Sequence, residues 1–168
     1  RLGAFGMKID KEYGGLGLSN LHYCKALTLV GSANPSSGAL LSPHQSIGVP
    51  QPLKMVGTAA QKTAFLLTEP DVGSDPARLG TVAEPIEGGY RLNGVKLWAT
   101  NGTLATLLVV MARVPEKGIT AFVVEGDAPG ITVERRNEFL GLRGLENSVT
   151  RFHDVFVPEE NVVGGLGK

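Results

Sequence analysis

Thr63-Ala64-Phe65-Leu66-Leu67-Thr68-Glu69-Pro70-Asp71-Val72-Gly73-Ser74-Asp75-Pro76 is the stretch that decides the architecture. It opens with a short apolar run closed by a turn signal, which suits a buried strand better than a helix. Pro70 ends the run, because proline lacks a backbone donor and pushes its neighbour towards an extended shape. Gly73-Ser74-Asp75 then predicts a tight polar loop, with glycine allowing close backbone approach. Asp75-Pro76 reads as a helix start, aspartate capping and proline in the first helical position. Backbone N–H groups at such a loop and helix end favour an anion such as a pyrophosphate.

Downstream of this stretch the sequence keeps the period of strands. Tyr90-Arg91-Leu92-Asn93-Gly94-Val95-Lys96-Leu97 predicts a hairpin with a type I′ turn at Asn93-Gly94. That turn would set Tyr90, Leu92, Val95 and Leu97 on one face and Arg91 with Lys96 on the other, in solvent. Strands are also expected at 104–112, 119–125, 131–136 and 150–157. Short strands separated by turns point to a sandwich or barrel.

Upstream, residues 1–62 read as loop and helix. Ser19 or Asn20 caps a helix whose buried face would carry Leu21, Cys24, Leu27 and Thr28, with Gly31 as its stop. A second helix is expected over 36–47, with Pro43 inside it. Thr58-Ala59-Ala60-Gln61 is a capping box, yet Lys62 runs straight into the strand at Thr63. A helix that starts and ends within one turn is physically odd, so residues are expected to be missing between Lys62 and Thr63. The chain opens on Arg1 rather than methionine, so its real start is expected upstream.

Composition narrows the function classes. The 168 residues are 42% hydrophobic, enough for a packed core. Sixteen basic residues balance sixteen acidic ones, and no basic stripe or nucleic-acid motif is present. Cys24 is the single cysteine, so no internal disulfide and no Cys-x-x-Cys pattern exist. No apolar run is long enough to span a bilayer. His22, His44 and His153 lack metal-ligand spacing, and no P-loop or Gly-x-Gly-x-x-Gly site occurs. A metal site is therefore not expected.

The second informative stretch is Asn93-Gly94-Val95-Lys96-Leu97-Trp98-Ala99-Thr100-Asn101-Gly102. On the hairpin pleat Trp98 points away from the apolar face. Either a second core layer or a flat ligand that needs an aromatic wall accounts for it. A third stretch runs from Gly141-Leu142-Arg143-Gly144-Leu145-Glu146-Asn147-Ser148-Val149 into Phe152-His153-Asp154-Val155-Phe156-Val157-Pro158.

Leu67-Thr68-Glu69-Pro70 with Gly73-Ser74-Asp75, the Asn93–Gly102 motif, the third stretch and Tyr13-Gly14-Gly15-Leu16-Gly17 together resemble the acyl-CoA dehydrogenase family, over nearly the whole chain. The resemblance implies an α+β architecture: a partial helical N-terminal domain over 1–62, then a β-barrel-like middle domain over 63–168. It implies FAD as cofactor and α,β-dehydrogenation of an acyl-CoA thioester to the trans-2-enoyl-CoA. Electrons would pass to an electron-transfer flavoprotein, and the assembly would be a homodimer or homotetramer. The backbone of Phe65 and Leu67 would border the flavin ring, with Thr68 bonding its edge. Gly73 and Ser74 would sit at the pyrophosphate, Ser74 also near the acyl-CoA. Trp98 would cover one side of the ring, and Thr100 would bond near its N5 region. Relatives carry a longer connection at Lys62–Thr63 and at Val114–Gly118. The family's catalytic glutamate belongs to a C-terminal helical domain expected beyond Lys168, so no catalytic base is named here and the 168 residues alone are expected to be inactive. A non-enzymatic flavin or acyl-CoA binding protein and an oxidase-like relative are the rival readings. The implied compartment is bacterial cytoplasm or, in a eukaryote, the mitochondrial matrix.

Overall fold

Two capping residues punctuate the helical part of the chain. In the computed structural model, which describes residues 7–8, 11, 15–46, 63–141 and 146–167, Ser19 accepts a hydrogen bond from the His22 N–H at the start of α1 (Asn20–Ala33). Asn34 ends α1 and opens α2 (Pro35–Ser46), its side chain accepting from the Ser37 N–H at 3.0 Å. Helix α1 thus stops at the residue before proline, not at Gly31. Gly31 serves packing instead: a Cβ on Gly38 of α2 would lie 2.9 Å from the Gly31 Cα.

The buried stripe of α1 is also not the expected one. Tyr23 is buried with Met7 and Leu41, and Ala26, Leu27 and Val30 pack against them, while Leu21, Cys24 and Thr28 are exposed. Positions 23, 26, 27 and 30 form a helical stripe as regular as the predicted one. Its leader is a tyrosine, whose ring is apolar and whose hydroxyl donates to the Ser42 carbonyl at 3.2 Å. Residues 58–62, with the capping box, lie outside the described residues.

The chain divides into two units, Arg1–Gln61 with Glu138–Leu145, and Lys62–Asn137 with Glu146–Lys168. The second unit is one mixed sheet. Its strands are β1 (Thr63–Leu66), β2 (Val82–Ile86), β3 (Gly89–Thr100), β4 (Leu107–Val114), β5 (Gly118–Glu125), β6 (Ile131–Arg136), β7 (Asn147–Pro158) and β8 (Val162–Val163). The order is β6-β7-β3-β2-β4-β5-β8, with β1 paired in parallel to β4. Strands β6 and β8 end this path without pairing to each other, so the expected barrel-like closure is replaced by an open eight-stranded sheet. Leu66, Leu92, Val110, Phe122, Phe152, Val155 and Val157 are fully buried, and Tyr90 meets Phe122 edge-on at 5.1 Å. Each such side chain contributes about 1.5–3 kcal/mol on leaving water.

The expected turn at Asn93-Gly94 does not form. Residues 89–100 are a single strand, and the tight turn falls at Glu87-Gly88, where Ile86 pairs with Gly89 and Gly88 has φ +77°. Asn93 bonds across to β7: its Nδ2 donates to Asp154 Oδ1 at 3.0 Å, and its Oδ1 accepts from the Asp154 N–H at 2.9 Å. The register with β7 shifts between Leu92 and Gly94, so the pair makes a bulge within a long strand. Glycine at 94 answers a close approach, since a Cβ there would lie 2.4 Å from Thr81 Oγ1. Arg91 and Lys96 part company as a result: Arg91 is exposed and Lys96 fully buried.

Of the remaining strands, β6 falls where expected, β5 starts one residue early, and β4 and β7 start three residues late and three early, whereas β2 and β8 were not expected. Val114 pairs with Gly118, so Pro115-Glu116-Lys117 closes the β4–β5 hairpin. Among the described residues no helix is long and apolar enough to cross a membrane, and no group of three metal-ligating side chains exists.

Candidate functional site

The site begins where β1 ends. The Leu67 carbonyl accepts from Lys96 Nζ at 3.0 Å, and the Thr68 carbonyl accepts from the Leu97 N–H at 2.8 Å. Glu69 then closes a small bridge on itself, exchanging backbone hydrogen bonds with Val72 at 2.9 and 3.2 Å. Its carboxylate faces inward. Oε2 accepts from the Gly80 N–H at 2.6 Å, while Oε1 accepts from the Thr81 N–H at 2.9 Å and from Lys96 Nζ at 2.8 Å. One buried ion pair therefore ties the 67–69 segment to β3 and to the start of β2.

That pair is dry: the side chains of Lys96 and Glu69 are 0% and 6% exposed. Burial pushes the Glu69 carboxyl up, but the bonds from Lys96 and from the Gly80 and Thr81 backbone outweigh it, so it titrates below its ordinary value. For Lys96 burial dominates, and its pKa lies below the ordinary lysine value despite the carboxylate alongside. A buried pair of this kind holds only because its hydrogen bonds are nearly complete.

Strand β3 carries the other half. Its register with β7 slips again between Lys96 and Ala99. The slip frees the Leu97 N–H from the β7 ladder and lends it to Thr68. Trp98 follows at φ +59°, a conformation rare for a bulky side chain and costing about 1–3 kcal/mol. It is 51% exposed. Thr100, half-buried, accepts from Asn147 Nδ2 at 3.3 Å.

The Leu67–Lys96 and Thr68–Leu97 bonds thus tie the end of β1 to the part of β3 that runs directly into Trp98, with Thr100 two residues further on. Phe65 is half-buried on β1, two residues before Leu67. Gly73 and Ser74 stand in the exposed loop beyond the Glu69–Val72 bridge, and Gly73 has open space where a Cβ would be. The expected helix start after them is a single 3-10 turn, Pro76–Arg78, and Asp75 itself accepts from the Ala77 N–H at 3.2 Å. A carboxylate occupying that donor opposes an anion at the start of this turn. Lys96, Glu69 and Asn147 escaped the sequence reading as site residues. Each lies inside one of the quoted motifs, and a lysine between apolar strand neighbours was the available signal for the first.

Residues 64–155 match the family model of the acyl-CoA dehydrogenase middle domain, and residues 1–68 that of the N-terminal domain. The chain belongs to the acyl-CoA dehydrogenase family. It is 59% identical over 185 residues to the probable acyl-CoA dehydrogenase FadE10 of Mycobacterium tuberculosis, covering 99% of this chain and 28% of that one. It is similar in structure to butyryl-CoA dehydrogenase from Megasphaera elsdenii, with a TM-score of 0.87 at 30% identity over 99% of this chain and 49% of the other. An acyl-CoA dehydrogenase complexed with FAD from Bacillus anthracis gives a TM-score of 0.86 at 28% identity, over 99% and 31%. The chain thus spans under a third of FadE10's length. The 185 aligned positions also exceed the chain's 168 residues, so this member of the acyl-CoA dehydrogenase family lacks counterparts of some residues in that relative.

Proposed function

We propose that this chain supplies the flavin-facing part of an FAD-dependent acyl-CoA dehydrogenase, converting an acyl-CoA thioester to the trans-2-enoyl-CoA with electrons passed to an electron-transfer flavoprotein. The observation that carries the reading is Trp98, strained and exposed next to Leu97, whose N–H bonds the Thr68 carbonyl, with the Thr100 hydroxyl two residues on. An aromatic wall flanked by hydroxyl groups fits a planar ring that bears both apolar faces and polar edges. When bound, FAD supplies the acceptor for the electron pair that leaves the substrate Cβ.

The chain's own residues position and stabilise. The Lys96–Glu69 pair fixes the backbone of Leu67 and Thr68, so Thr68 meets the ring edge without reorganising. Gly73 and Ser74 take the pyrophosphate, and Ser74 also borders the acyl-CoA. Neither motif carboxylate suits the base that removes the Cα proton. Glu69 is locked to Lys96, and Glu146 is held by Arg136 at 3.0 Å and by the Thr103 hydroxyl at 2.8 Å, with its pKa below ordinary. We assign that base to a part of the polypeptide outside these residues. Residues 1–62 and 63–168 serve as the N-terminal and middle domains, in a homo-oligomer.

The test is anaerobic visible absorbance of the FAD-loaded complete protein. The flavin band bleaches on adding acyl-CoA and returns on adding an electron-transfer flavoprotein. A preparation that cannot be reconstituted with FAD overturns the reading, and one that stays yellow with every acyl-CoA tried reduces it to flavin binding.

A further inference from the structure

We propose that Arg135, Asn137 and Asn147 form a one-way hydrogen-bond relay that fixes the Thr100 hydroxyl as a donor toward the flavin face. This rests on the reading that Thr100 faces FAD. Arginine can only donate. Arg135 Nε donates to Asn137 Oδ1 at 3.3 Å, which turns the Asn137 amide so that Nδ2 points on. Asn137 Nδ2 donates to Asn147 Oδ1 at 2.7 Å, and Asn147 Nδ2 then donates to Thr100 Oγ1 at 3.3 Å. The two asparagines are buried, and Asn137 is held by its backbone N–H donating to the Asn147 carbonyl at 2.8 Å. Asn147 lies directly across from Thr100 in the β3–β7 register.

A threonine hydroxyl has one proton. With Asn147 donating into its oxygen, that proton is directed elsewhere, and among the described residues no acceptor takes it. A flavin ring gains negative charge on reduction, so a donor locked in advance favours the reduced form without reorganising. Reversing either asparagine amide would turn Thr100 into a donor to Asn147 and remove it from the site. Arg135, Asn137 and Asn147 are thus positioning residues acting through Thr100.

The test is the flavin midpoint potential of the complete FAD-loaded protein in a cycle of Asn147→Asp and Thr100→Val. Aspartate is nearly isosteric but only accepts when ionised, so Thr100 must donate to it. A hydrogen bond to a charged acceptor is worth about tenfold or more in an equilibrium. Each single variant should therefore favour the oxidised flavin by about tenfold, a shift of about 30 mV to more negative potential for a two-electron couple. In the Thr100→Val background the Asn147→Asp shift should fall to less than half, leaving only the direct effect of the new charge. Equal shifts in both backgrounds overturn the relay. If Asn147→Asp does not fold, Arg135→Met at the exposed end of the chain is judged by the same difference between backgrounds. A protein that binds no FAD, or a Thr100→Val variant with unchanged potential, overturns the flavin reading and the relay with it.

Discussion

Replacing Lys96 by methionine removes one donor from two acceptors at once. The Glu69 carboxylate loses a charge-assisted bond of 2.8 Å and the Leu67 carbonyl loses one of 3.0 Å. Losing one partner of a buried ion pair costs about 3–5 kcal/mol, because the other charge stays buried. The Gly80 and Thr81 N–H groups still serve Glu69, which puts the carboxylate loss at the low end, about 3 kcal/mol. The orphaned Leu67 carbonyl adds about 1 kcal/mol. The sum, about 4 kcal/mol, lowers the melting temperature by roughly 10 °C for a chain of this size. Pairing Lys96→Met with Glu69→Gln should recover much of the loss, since a neutral amide carries no buried charge. The assay is urea unfolding of both single variants and the double. A Lys96→Met loss below about 1 kcal/mol, or strict additivity in the double, would refute the claim that this pair fastens the 67–69 segment.

Other consequences follow from the same geometry. Because the Glu69 pKa is lowered in the folded state, the stability it contributes is present above the ordinary glutamate range and is lost as pH falls through it toward the lowered folded value. Thermal unfolding between about pH 6 and pH 3 should show this acid sensitivity, and Glu69→Gln should flatten it. Gly94→Ala drives a methyl into Thr81 and should cost about 1–3 kcal/mol by calorimetry, whereas Gly73→Ala, with open space at its Cβ, should cost under about 1 kcal/mol. Trp98→Asn accepts the left-handed backbone more readily, so unfolding stability should stay within about 1 kcal/mol while FAD affinity, read by flavin fluorescence, falls at least tenfold, about 1.4 kcal/mol. Stability lost with flavin affinity kept would make Trp98 a packing residue.

What the sequence disclosed depended on whether a signal was local. The strands expected at 63–67, 119–125 and 131–136 are read from apolar runs and turn residues within a few positions, and the observed bounds differ by one residue at most. Helix α2 lies within a residue of its expected range at either end. The Asn93-Gly94 hairpin failed because the same dipeptide serves a turn or a bulge. The choice was made by Asp154, 61 residues away, which binds the Asn93 side chain. Lys96 was placed in solvent because a charge on a strand ordinarily belongs there; its partner Glu69 lies 27 residues upstream. Trp98 was singled out for pointing the wrong way, and its outward position rests on a bulge that pleat counting cannot see. Thr68 and Thr100 stood in motifs that the family comparison weights. Asn137 and Asn147 carry no local pattern, since their meaning lies in which amide atom faces which neighbour.

The most direct test uses the fact that Trp98 is the single tryptophan in these 168 residues. Its emission is isolated as the difference between the complete protein and its Trp98→Phe variant, followed through a titration with FAD. Saturable quenching at the flavin binding stoichiometry is the predicted result. Emission from Trp98 that stays constant while the flavin is demonstrably bound would contradict the placement of the ring against it.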